Sequence, residues 1–152
     1  MFERILALFD RSGPVTTLPP TEAKYALGAL MVRTAKADHA YLFQEVEQID
    51  RILARRNGIN VVEAAKMRAQ CELLEESLPQ TADLAATLQA AVSTEDREAM
   101  VAALWSVVFA DGVENEEEDA VLAEVERLLG LDAATCRAIH DRIMAQQVRP
   151  SV

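Results

Sequence analysis

The sequence predicts an all-α protein, and three observations carry that expectation. Just over half of the 152 residues are apolar (51 %), only 5 % are aromatic, and the whole chain holds five Gly and five Pro. The apolar residues are mostly Ala, Leu and Val, so helix formers far outnumber turn formers. Apolar positions recur at helical spacing in segment after segment, and nowhere do apolar and polar residues alternate as in a half-buried strand. A chain of roughly 150 residues buries about two thirds of its unfolded surface, enough for one core. The expected architecture is a single-domain helical bundle of about seven to eight helices.

Composition closes several other classes. The chain is too apolar for disorder, and no uncharged apolar run approaches the roughly 18 residues that a membrane span needs. Cys71 and Cys136 are the only cysteines. They cannot build a disulfide scaffold, and a reducing, cytoplasmic compartment is expected. The net charge is −10 and sits mostly in the second half: residues 1–76 carry −1 and residues 77–152 carry −9. Such a surface repels nucleic acid and anionic lipid and attracts cations or a basic protein partner. A solvated helix face that keeps the protein soluble is the alternative reading.

The elements follow in order. Phe2, Ile5, Leu6 and Phe9 fall at helical spacing without a cationic lead, which suits a short amphipathic helix better than a signal peptide. It is expected to dock on its own domain, with a membrane surface as the alternative. Residues 11–20 contain three Pro and a Gly and read as a strap. Residues 1–20 thus precede a helical domain over 21–146, and 147–152 form a tail. In the domain, Thr21–Lys36 is an apolar helix. A second runs from about Tyr41 to Arg56, with Val46, Ile49, Ile52 and Leu53 on one face and Gly58 as its stop. Arg51, Arg55 and Arg56 gather at its C-terminus, where the helix dipole favours them.

Asn60 with Glu63 caps a third helix, striped by Ala64, Met67, Cys71, Leu74 and Leu78 and closed before Pro79. Thr81–Val92 is short and Ala-rich. Ser93 with Asp96 opens the next helix, whose run Ala99–Ala110 has Ser106 as its one polar member and therefore belongs at the centre of the bundle. Asn115 with Glu118 caps another, ended by Gly130. Asp132 starts the last, striped by Cys136, Ile139, Ile143 and Met144.

An internal repeat organises these helices. Ala37-Asp38 ends one apolar helix and Ala110-Asp111 the other, and a glutamate follows seven residues after each aspartate, as Glu45 and Glu118. The following helix stops at Gly58-Ile59-Asn60 in the first copy and Gly130-Leu131-Asp132 in the second. Each unit is a helical hairpin with an aspartate in its turn, and two of them about a pseudo-twofold axis would bury both apolar helices together.

The apolar helix, Phe109-Ala-Asp-Gly-Val113, the acid-rich helix start and the Leu-Leu-Gly-Leu end at 128–131 resemble the TerB-like tellurite-resistance family, over about residues 22–145. Related domains occur in some membrane-anchored J-domain co-chaperones. The resemblance implies an all-helical bundle with internal pseudo-symmetry. It also implies a non-catalytic cytoplasmic protein that binds metal ions or joins stress-response assemblies at the membrane. The first copy departs from the pattern: His39 stands in place of the turn glycine, and Ala40–Gln44 replaces the acid-rich segment.

Hard divalent cations take several oxygen ligands, which carboxylates at a flexible turn supply. Asp111, Glu114, Glu117 and Glu118 provide them at the second turn, and Asp38 and Glu45 join if the hairpins pair. The competing account needs no metal: acids at a helix start serve capping and the dipole, and an aspartate bonds its own turn. Other chemistry lacks its residues. His39 and His140 are the only histidines, and neither sits in a zinc-protease or di-iron spacing. No nucleophile elbow or phosphate-cradling glycine loop is present, and Trp105 reads as core. The function expected is a non-catalytic cation-binding or scaffold protein of stress response. The alternative is a plain helical protein–protein interaction module with no metal role.

Overall fold

The computed structural model describes residues 20–78 and 80–148. The expected amino-terminal helix, nearly all of the strap and the end of the tail lie outside the described residues. Within them the chain forms α1 (Pro20–Lys36), α2 (Phe43–Asn57), α3 (Val61–Ser77), α4 (Thr81–Ala91) and α5 (Thr94–Val108). A 3-10 turn (Phe109–Asp111), α6 (Glu116–Leu128) and α7 (Ala133–Val148) complete it, and no strand occurs among the described residues. None of the described helices is long and apolar enough to cross a membrane.

The two helices expected at the centre are there. α1 is apolar on nearly every side and packs against α2, α3, α4, α5 and α6. Ala26, Ala29, Leu30, Met31 and Val32 are wholly buried. Small residues let its neighbours approach: a Cβ added at Gly28 would stand 2.2 Å from the Cys71 sulfur of α3. Polar contacts then fix the far end of α1. The Arg33 guanidinium donates to the Glu75 carboxylate (3.1 Å), the Glu75 carbonyl (2.8 Å), the Leu78 carbonyl and the Thr81 hydroxyl (3.3 Å), and Lys36 meets Glu75 at 2.9 Å. α5 crosses α1 and buries Val101, Leu104, Val107 and Val108. Trp105 closes this layer: its indole N–H donates to Glu126 at 3.1 Å, and its ring meets Phe109 and His140 at centroid distances of 5.9 and 4.6 Å.

The repeat is reproduced bond for bond at the helix ends. Gly58 and Gly130 both adopt left-handed φ (61° and 78°), and the N–H after each reaches back five residues, Ile59 to Ala54 and Leu131 to Glu126, at 3.1 Å. Asn60, Ser93, Asn115 and Asp132 each accept from the backbone N–H three residues on. Three local expectations shift. α2 begins at Phe43 rather than Tyr41, because Glu45 turns back to the Leu42 N–H (3.0 Å) and caps the helix there. α5 tightens into a 3-10 turn at Phe109 instead of running to Ala110. Met144 is 38 % exposed, off the buried stripe of Ile139 and Ile143.

Candidate functional site

The two hairpin turns meet, and their carboxyl groups meet with them. Each aspartate folds its own turn in the same way: Asp38 Oδ1 accepts from the Ala40 N–H and Asp111 Oδ1 from the Val113 N–H, both at 3.0 Å. The residue that follows is left-handed in both copies, His39 at φ 65° and Gly112 at φ 81°. This reversal sends the chain into α2 or α6 and places Glu45 or Glu118 in the first turn of the returning helix. Both glutamates are buried, Glu45 1 % and Glu118 0 % exposed.

Asn115 joins the copies. Its side-chain oxygen caps α6 at the Glu118 N–H (2.8 Å), while its amide nitrogen donates to Asp38 Oδ2 (3.0 Å) and to Glu118 Oε1 (2.5 Å). Nearby, Ser106 accepts from the Gln48 amide at 3.2 Å and donates to the Ala103 carbonyl at 2.6 Å, so the polar member of the α5 run links α5 to α2.

The electrostatics follow from this crowding. Burial pushes the Glu118 carboxyl up to about 10, aided by its hydrogen bond with the Glu45 carboxyl and by the charges of Glu45, Asp38 and Asp111. Glu45 is also raised, by burial first and by Asp111 and Asp38, against the hydrogen bonds from Glu118 and Leu42. Two carboxylates cannot hydrogen-bond unless one carries a proton. Burial and mutual repulsion thus both oppose ionising the two carboxyls together. Glu118 Oε2 is buried and has no other hydrogen-bond partner among the described residues.

Of the six acids expected to act together, Asp38, Glu45, Asp111 and Glu118 gather at this junction. Glu114 and Glu117 are placed elsewhere. Glu117 is exposed. Glu114 turns to α7, where its oxygens lie 3.1 and 3.2 Å from His140 Nε2, and it hydrogen-bonds Asp119. In that second group burial and Glu114 push Asp119 up to about 7, while Asp119 and His140 hold Glu114 low. Burial pulls His140 down, but its hydrogen bonds to Asp141 and Glu114 prevail and raise it. Sequence reasoning missed Asn115 as a bridge and Asp119 as a partner. The capping pattern at 115–118 marks Asn115, but its contact to Asp38 spans 77 positions and leaves no local sign.

The donor set at the junction is all oxygen, suited to a hard cation, and the buried Glu118 oxygen lacks a counter-group. As they stand, no three His, Cys, Asp or Glu side chains among the described residues are disposed to hold a metal ion. The chemistry of the donors fits a hard cation, while the side chains as placed form no cage.

A cavity of about 830 Å³ opens between α6 and α7, with Trp105, Glu126, Cys136 and His140 on its walls. Burial and the Glu126 carboxylate push Cys136 up to about 11, and burial pushes Cys71 up to about 12.

Residues 24–141 match the family model of the tellurite resistance protein TerB. No curated protein and no solved structure matches the chain. The matched span contains both hairpins, both aspartate turns and the Asn115 bridge between them, and on it the chain belongs to the TerB family.

Proposed function

We propose that the chain is a non-catalytic, cytoplasmic TerB-family protein whose paired acidic turns take up a divalent cation, acting as a cation-responsive scaffold in tellurite or stress response. One observation carries this reading. Two turns from separate repeats bring Asp38, Glu45, Asp111 and Glu118 together, with Glu45 and Glu118 buried and one Glu118 oxygen without a donor. Two buried glutamates beside two half-buried aspartates are costly unless protons, donors or a cation neutralise them. Backbone N–H groups and Asn115 supply donors but no positive charge.

These four residues would hold the cation, and the cation would supply the positive charge that the junction lacks. Asp111 has the freer turn, since Gly112 adopts its left-handed φ without the strain that His39 bears. The excess negative charge of the second half suits a basic or membrane-associated protein partner.

Calorimetry with calcium, magnesium, manganese and zinc tests the reading. Heat of binding is expected in the wild type, and it should vanish in Glu118→Gln and Asp111→Asn. Absence of heat at millimolar metal would leave capping as the whole role of these acids and favour the interaction-module alternative.

A further inference from the structure

Among the described residues, exposed large hydrophobic side chains concentrate on the α2–α3 hairpin. The large hydrophobic residues exposed among the described residues are Leu42, Phe43, Val61, Val62, Leu73, Val113 and Met144, and the first five belong to this hairpin. Phe43 and Val61, each 74 % exposed, stand at opposite ends of a groove of about 510 Å³ whose wall includes Val46 and Ala54. Two of its arginines are committed, Arg51 to Glu47 at 2.9 Å and Arg68 to Asp50 at 2.6 Å. Arg55, at the Val61 end, has no ion-pair partner among the described residues.

The chain enters the bundle beside that end. α1 and α3 run parallel, since Gly28 abuts Cys71 and Arg33 reaches Glu75. Followed back by the same register, Pro20 falls beside the first turn of α3, next to Val61. Upstream lies a segment with Phe2, Ile5, Leu6 and Phe9 at helical spacing, followed by the strap. Ten extended residues span up to about 33–36 Å, ample to return residue 10 to the Val61 end. A helix over residues 2–10 is about 14 Å long, and the stretch of α2 from Phe43 to Ala54 is about 17 Å by the same rise.

We propose that the chain's own residues 2–10 dock in the α2–α3 groove, with Phe2 towards Phe43, Phe9 over Ala54 and Val61, and Asp10 beside Arg55. Charge selects this occupant. A second copy or an anionic membrane would have to approach a body of net charge −10, whereas the tethered segment is nearly neutral and arrives at high effective concentration. Docking covers the exposed Phe43 and Val61 side chains.

Methyl-resolved NMR on the full chain tests this, with Phe9→Asp in the segment and Val61→Asp in the groove. Val61 is 74 % exposed, so its substitution leaves the core untouched. In the wild type, nuclear Overhauser contacts from the Phe2 and Phe9 rings to the Val46 and Val61 methyls are expected, independent of protein concentration. Each variant should abolish them and raise proteolysis at Arg4 or Arg11 by about tenfold, as release of a docked segment does. Three results would overturn the proposal: no such contacts in the wild type, contacts that grow with concentration alongside a sedimenting dimer, or co-pelleting of the wild type with anionic vesicles that Phe9→Asp removes.

Discussion

His39 and Gly112 occupy equivalent positions in the two aspartate turns, and both are left-handed, but only glycine adopts that conformation freely. A non-glycine residue there costs about 1–2 kcal/mol, against which the extra freedom of glycine in the unfolded chain counts roughly 0.5–1 kcal/mol. His39→Gly should therefore stabilise the protein by up to about 1 kcal/mol, read as a higher urea midpoint with unchanged slope. A lower midpoint would show that the His39 side chain contributes more than its backbone strain removes. Glu118 is the other decisive residue. Because burial pushes its carboxyl up to about 10, the neutral amide of Glu118→Gln is a close replacement that can donate to Glu45. The variant is expected within about 1 kcal/mol of wild type at pH 6, where an ionised, donor-bound glutamate in the same place would lose about 1–3 kcal/mol. Urea unfolding at that pH distinguishes the two.

At the scale of elements, α1 and α3 approach closely at Gly28. Adding a methyl at Gly28 puts it 2.2 Å from the Cys71 sulfur, with Leu53 Cδ2 at 3.6 Å behind it. Gly28→Ala should cost about 1–3 kcal/mol through overpacking. Combining it with Cys71→Ala should recover much of the loss, since the clash is with that one sulfur. Trp105→Ala, which empties the contact among α5, α6 and α7, should cost about 3–5 kcal/mol in thermal or urea unfolding. These helices and their ends were legible in the sequence because the signals are local. Asn60, Ser93, Asn115 and Asp132 cap within three residues, Gly58 and Gly130 mark the stops, and an apolar run without a polar face has to be buried. The α2 start was misplaced by two residues because its cap is Glu45 reaching back to Leu42, without a Ser, Thr, Asp or Asn at the boundary. At the site, the repeat itself located the Asp38, Glu45, Asp111 and Glu118 quartet. The partners of Glu114 and Asn115 lie 26 and 77 positions away, set by how α7 and the two hairpins pack, and no spacing rule reaches them.

For the molecule as a whole, the buried acids tie stability to pH, and the signs agree. Glu118 has a folded pKa of about 10 against an ordinary value of 4.5, so between these the folded state keeps a proton that the unfolded chain has lost. Stability then falls as pH rises, by linkage. Asp119, raised from 3.8 to about 7, acts in the same sense over the lower part of that range, and raised His140 adds a loss above its ordinary 6.5. Glu114, held low by Asp119 and His140, opposes them only in acid, where its protonation removes stability. The thermal midpoint should thus peak near about pH 4 and decline towards about pH 9. Replacing Glu118 by Gln should flatten the upper part of that decline and leave the Asp119 and His140 part in place. The same balance governs the proposed cation, which competes with protonation of these acids. Divalent metal should bind more tightly and raise the midpoint more at pH 9 than at pH 6, with proton release measured as a dependence of binding heat on buffer. A midpoint that metal raises equally at both pH values, without proton release, would place the cation elsewhere on the acidic surface.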